Sequence, residues 1–156
     1  MRNAIKMFGL VTALALSACG SDKGEDLGRF IGTWHPTSGT ITEVCGGNQG
    51  TFVLAGDVVW TTGVSSDLVS AMAFGSCPLA ADVTNSTASG RPGQTCTASD
   101  GAGGTATTSL TSYTFVVSSD GHTATENLSA QVTIVDQGVA VVCTLNGTGS
   151  YQKLSN

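Results

Sequence analysis

Beyond residue 19, the hydrophobic positions fall in short runs that alternate with polar ones. This is the period-2 pattern of half-buried strands. Phe30 to Cys45 opens with Gly32-Thr33-Trp34, bends near Pro36 to Gly39, and continues as Thr40-Ile41-Thr42-Glu43-Val44. Thr51 to Trp60 puts Phe52, Leu54, Val58 and Trp60 on one parity. Leu68 to Phe74 sets Leu68, Ser70, Met72 and Phe74 against Val69, Ala71 and Ala73. Leu79, Ala81 and Val83 follow, and then a short run around Cys96. Tyr113, Phe115 and Val117 share a face, as do Leu128, Ala130, Val132 and Ile134. Val139, Val141, Cys143 and Leu145 form the next run, and Tyr151 and Leu154 close the chain. No segment after residue 19 has a helical period.

Turn formers stand between these runs: Gly46 to Gly50, Gly90 to Gly93, Asp100 to Gly104, Asp120-Gly121 and Asp136 to Gly138. Gly56-Asp57, inside a run, reads as either a bulge or a tight hairpin. Turns every ~10–15 residues are the spacing of an all-β sandwich or barrel. The expected fold is all-β: an antiparallel meander of about eight strands closing into a small barrel. Closure would remove the exposed edges, and a two-sheet sandwich is the alternative.

The polar faces are made of hydroxyls rather than charges, with 22 Thr and 17 Ser against 11% charged residues. A formal net charge of −5 and scattered basic residues exclude the clustered Lys and Arg of a nucleic-acid binder. No apolar run approaches the ~20 residues of a spanning helix.

The first nineteen residues differ in kind. Arg2 and Lys6 give a positive start, Phe8 to Leu16 is a short apolar run, and Leu16-Ser17-Ala18-Cys19 follows. This is the layout of a secretory signal. At Cys19 the stretch resembles the signal of bacterial lipoproteins. The resemblance implies cleavage before Cys19, a lipid thioether on its sulfur and acylation of the new amino group. Residues 1–18 are then a signal peptide, 19–29 the lipidated Cys19 and a polar, glycine-rich tether, and 30–156 one β-domain. Cleavage would leave 138 of the 156 residues and, by removing Arg2 and Lys6, move the net charge from −5 to −7. Two or three acyl chains on one residue would hold the protein on a membrane. Gly20, where Asp would signal inner-membrane retention in such lipoproteins, favours the outer membrane of the cell envelope.

With Cys19 assigned to lipid, Cys45, Cys77, Cys96 and Cys143 remain. An even number in an exported chain reads as two disulfides, with three connectivities open. Topology favours Cys77–Cys96, on strands taken as neighbours around the Gly90 to Gly93 turn. It also favours Cys45–Cys143, joining the first and last strands of a closed barrel. No close Cys-x-x-Cys pair argues for zinc.

Catalytic chemistry does not emerge, so the expectation is a non-enzyme without cofactor or metal. His35 and His122 read as surface residues, and serines are too common for a triad to be legible. Glu43, Glu126 and the aspartates read mostly as turn residues. Asp100 and Asp120 lack the spacing of a calcium loop. Asn85, Asn127 and Asn146 begin chance matches to the glycosylation sequon.

Gly32-Thr33-Trp34 resembles the Gly-x-Trp that opens the first strand of lipocalin-like barrels. That resemblance implies a ligand-binding barrel, in which Trp34 would touch the ligand; in any small β-barrel or sandwich the same residue would plug one end of the core. It also implies a basic residue near the final strand packing on the tryptophan, for which Lys153 is the candidate. Two functions are therefore expected. The first is a membrane-anchored envelope lipoprotein with a structural or interaction role and unspecified protein partners. The second is a lipocalin-like barrel holding a small apolar ligand. Closure of the interior by Phe52, Trp60, Phe74 and Phe115 would remove the second.

Overall fold

The computed structural model describes residues 23–74, 77–99 and 102–155, with backbone alone for 23–25, 71–74 and 155. One helix, α1 (Lys23–Phe30), precedes ten strands. These are β1 (Gly32–Cys45), β2 (Asn48–Val53), β3 (Val58–Thr62), β4 (Leu68–Phe74), β5 (Cys77–Thr84), β6 (Thr87–Gly90), β7 (Thr95–Ser99), β8 (Thr105–Val117), β9 (Thr123–Asp136) and β10 (Val139–Ser155). The fold is a closed, antiparallel, eight-stranded barrel with two extra strands. The order is β1-β3-β4-β5-β6-β8-β9-β10, and β10 returns to β1 in a long register from Thr33↔Ser155 to Cys45↔Cys143.

The two extra strands are continuations. The start of β1 pairs with β3 (Trp34↔Val58) and its end pairs with β2 (Thr40↔Val53). β2 and β3 thus run along one edge of β1, interrupted at Leu54 to Asp57, where Gly56 has φ +91°. Gly56-Asp57 is therefore a break in one long strand, not a hairpin. β8 is flanked in the same way, by β6 near its end and β7 near its start. The expected Gly90 to Gly93 turn is the break between those two strands. The hairpin that follows Cys77 instead turns at Asn85-Ser86, between β5 and β6.

At the β6–β7 break a side chain replaces the ladder. Gln94 Nε2 donates to the carbonyls of Ala80 and Arg91, both at 2.8 Å, and its Oε1 accepts from the Ala80 N–H at 2.7 Å. A primary amide presents the same donor and acceptor as a peptide unit, so it can stand in for a strand residue.

β1 and β10 approach closely where two glycines face each other. A Cβ on Gly39 would lie 2.8 Å from the Gly149 Cα and 2.6 Å from the Thr148 carbonyl oxygen. No side chain fits there, and Leu54 packs over the pair instead. The β9–β10 turn has positive φ at both Gln137 (48°) and Gly138 (82°), the geometry that matches the twist of a tight hairpin.

The segment expected to be a flexible tether to Arg29 is helical from Lys23. Glu25 and Asp26 lie in the first turn and Arg29 in the last, as the helix dipole favours. Leu27 and Phe30, three apart, share a face, and Phe30 is fully buried in the barrel core. Eight residues are too few for a periodic signal, so the helix depends on the barrel it closes.

Candidate functional site

The barrel has a closed end, a filled middle and an open end. At the closed end Trp34, fully buried, donates from Nε1 to the Phe30 carbonyl at 2.7 Å. Lys153, from the last strand, lies over the indole, with Nζ 5.4 Å from the ring centroid. The ammonium also donates to the carbonyls of Gly28 (3.3 Å) and Arg29 (3.0 Å), which belong to the unsatisfied last turn of α1. Partial burial lowers the Lys153 pKa. Trp34 and Lys153, both singled out in the sequence, thus meet at this end of the barrel.

The middle is packed with rings. Phe115 lies 5.3 Å from Trp34, 5.9 Å from Trp60 and 5.3 Å from Tyr151, between centroids. Tyr113 lies 6.0 Å from Trp60. Edge and tilted contacts of this kind add to the burial of each ring. Of the four residues whose closure of the interior would remove a ligand cavity, Trp60 and Phe115 do fill it. Phe52 does not: it points to the inner side of the open end and stays 55% exposed. The Phe74 side chain lies outside the described residues.

One acid stands among the rings. Glu126 shares its level with Phe115 on β8 and Gly149 on β10, and is 6% exposed. Tyr151 Oη donates to Glu126 Oε2 at 2.5 Å. Burial raises the Glu126 pKa, and hydrogen bonding by Tyr151 and the nearness of Tyr113 only partly oppose this. The carboxylate and desolvation in turn push both phenols upward, with desolvation the larger cause. Three buried polar atoms of the described residues, Trp60 Nε1, Ser70 Oγ and Tyr113 Oη, make no hydrogen bond.

At the open end a depression of about 440 Å³ is lined by Ala98, Ala106, Ile134, Val135 and Asp136, among others. A second depression, of about 260 Å³, lies on the outer wall. Hydroxyls and an amide line it, from Ser38, Thr125, Asn127, Thr148 and Ser150.

Both disulfides join the expected partners, Cys45 with Cys143 and Cys77 with Cys96. The first joins opposed residues of the closing strands. The second has a different reason from the expected hairpin. It fastens β7, which pairs only with β8 among the described strands, to the start of β5. Glu43 lies close to the Cys45 and Cys143 sulfurs, but those sulfurs are bonded to each other and offer no thiolate to a metal.

His35 and His122 are exposed. His35 Nδ1 contacts Asp57 Oδ1 at 2.7 Å. Asp120 accepts from the Ser118 hydroxyl and the His122 N–H at a turn, which lowers its pKa. Cys19 and Asp100 lie outside the described residues. Glu126, expected at a turn, is instead in the core. The signal was its parity: it falls in phase with Leu128, Ala130 and Val132 of the same strand. No family model, curated protein or solved structure matches the chain.

Proposed function

We propose that this protein is a lipid-anchored lipoprotein of the bacterial cell envelope, at the outer membrane, and that its barrel has a structural or interaction role. The filled interior carries this reading: Trp34, Trp60, Tyr113, Phe115 and Tyr151 occupy the space an apolar ligand would need. The two disulfides fit an oxidising compartment, as the lipoprotein-like signal does. Cys19 precedes α1 by four residues, a reach of about 14 Å at most. An anchor there would hold the closed end near the lipid and turn the open end, with Phe52, away from it.

The second reading is a lipocalin-like barrel with a small apolar ligand. Lys153 over Trp34, the helix closing that end and the depression of about 440 Å³ at the other favour it. Because the middle is filled, a ligand would have to sit at the open end rather than deep inside.

Mass spectrometry of protein taken from its own envelope tests both. The expected result is an N-terminal peptide beginning at an acylated Cys19, release from membranes in Cys19→Ser, and no co-purifying ligand in the native spectrum. An unmodified mature N-terminus elsewhere would refute the anchor. A stoichiometric apolar adduct would favour the second reading.

A further inference from the structure

A strip of buried polar side chains crosses the barrel's middle, from Ser70 through Trp60 and Tyr113 to Glu126. Ser70 and Trp60 are opposed residues of β4 and β3 on the inner side. Trp60 and Tyr113 rings are in contact range at 6.0 Å, Tyr113 lies one inward position along from Glu126 on the paired strands β8 and β9, and Tyr151 donates to Glu126. Trp60 and Ser70 are fully buried and Tyr113 is 2% exposed. Buried polar groups in folded proteins are paired with protein or ordered water, because leaving one without a partner is expensive. Here Trp60 Nε1, Ser70 Oγ and Tyr113 Oη have no hydrogen-bond partner among the described residues.

We propose that this strip is a binding site for ordered water inside the barrel, extending the hydrogen bonds of Glu126 toward Tyr113, Trp60 and Ser70. The donor inventory selects the guest. The indole N–H only donates and an ionised carboxylate only accepts, while the two hydroxyls do both. A guest must accept at Trp60 and donate at Glu126. Water does both and is small enough for a ring-packed interior. About one buried water per 27 residues, with about three hydrogen bonds each, is the ordinary density in globular proteins. The site is independent of the anchor and of any ligand at the open end.

Two measurements on the intact mature protein test the site. A crystal structure at a resolution that orders solvent should place water within about 3.2 Å of at least two of Ser70 Oγ, Trp60 Nε1, Tyr113 Oη and Glu126. Ser70→Ala removes one oxygen and almost no volume. If Ser70 is hydrated, its Tm falls by about 2–5 °C. An unchanged or raised Tm means the hydroxyl was a dry, unpaired group whose removal helps, and overturns the proposal. A strip free of solvent density also overturns it, as does an organic molecule in that density seen by native mass spectrometry.

Discussion

Lys153 and Trp34 close one end of the barrel from opposite chain ends. The ammonium lies 5.4 Å from the indole centroid and donates to two carbonyls of α1, while the indole donates to a third. Cation-to-carbonyl bonds from Lys153 and a neutral hydrogen bond from Trp34 thus meet on one short helix, and a cation–π contact joins the two side chains that make them. An eight-residue helix gains little from propensity, so these contacts decide whether it forms.

Lys153→Met should therefore keep the aliphatic packing but lose the charge, lowering stability by about 1–2 kcal/mol. Trp34→Ala, which empties a fully buried site, should lower it by about 3–5 kcal/mol. Trp34→Phe keeps a ring under Lys153 but loses the bond to Phe30. Denaturant unfolding of the two conservative variants, singly and together, gives the coupling between them. Strict additivity would mean that the ammonium and the indole do not act together on α1.

The disulfides should differ in what their loss does. Cys45–Cys143 spans a separation of 98 residues and Cys77–Cys96 one of 19. In the chain-entropy account these constrain the unfolded state by about 4.7 and about 3 kcal/mol. Replacing the first pair with serine should lower Tm more. Replacing the second should act locally, because β7 then keeps only its ladder to β8 on one edge. Hydrogen exchange should accelerate at residues 95–99 in Cys77→Ser/Cys96→Ser and stay near wild type across β9 and β10. Uniform acceleration in that variant would show that the second bridge holds the whole barrel rather than one strand.

The meander and both disulfides were legible because strand alternation, turn residues and cysteine parity are local or countable. Barrel closure followed from the need to leave no edge. The broken strands were not legible. Whether Gly56-Asp57 reverses the chain or merely interrupts it depends on β1 offering a second stretch of free edge, a tertiary fact. The helix was hidden by its length, and its anchor, Lys153, lies more than a hundred residues away. Grouping Glu126 with the aspartates carries over to it a turn preference that belongs to Asp, whose shorter side chain reaches its own backbone. Its phase within Ala124, Leu128 and Ala130 was the stronger local signal, and the burial of Ala124 and Ala130, with Leu128 partly buried, bears that out.

Gln94 offers a direct test of a side chain acting as backbone. Gln94→Ala should lose three hydrogen bonds on Ala80 and Arg91 and lower stability by about 1–3 kcal/mol. Gln94→Glu retains the acceptor for the Ala80 N–H but loses the donor to both carbonyls. Protection of the Ala80 amide should therefore survive partly in Gln94→Glu and vanish in Gln94→Ala. Equal protection in all three proteins would mean that another group, or solvent exclusion alone, shields this amide.

Glu126 should make stability depend on pH in a direction opposite to that of most carboxylates. Its folded pKa is raised, chiefly by burial, above the value it has in the unfolded chain. The unfolded chain therefore releases this proton at lower pH than the folded one does. The contribution of Glu126 is fully present below the unfolded carboxyl value, about 4.3, and is lost as pH rises through the folded value. Asp120 has the opposite sign, since its pKa is lowered and its contribution fades as pH falls. The two must be separated by difference. Glu126→Gln keeps an acceptor for the Tyr151 hydroxyl and removes the titration. Measured against pH, the stability of Glu126→Gln minus that of wild type should rise from the acid side and level off once wild-type Glu126 is ionised. A difference that falls over the same range would mean that the carboxylate is favoured in the folded state, with the Tyr151 hydrogen bond outweighing desolvation.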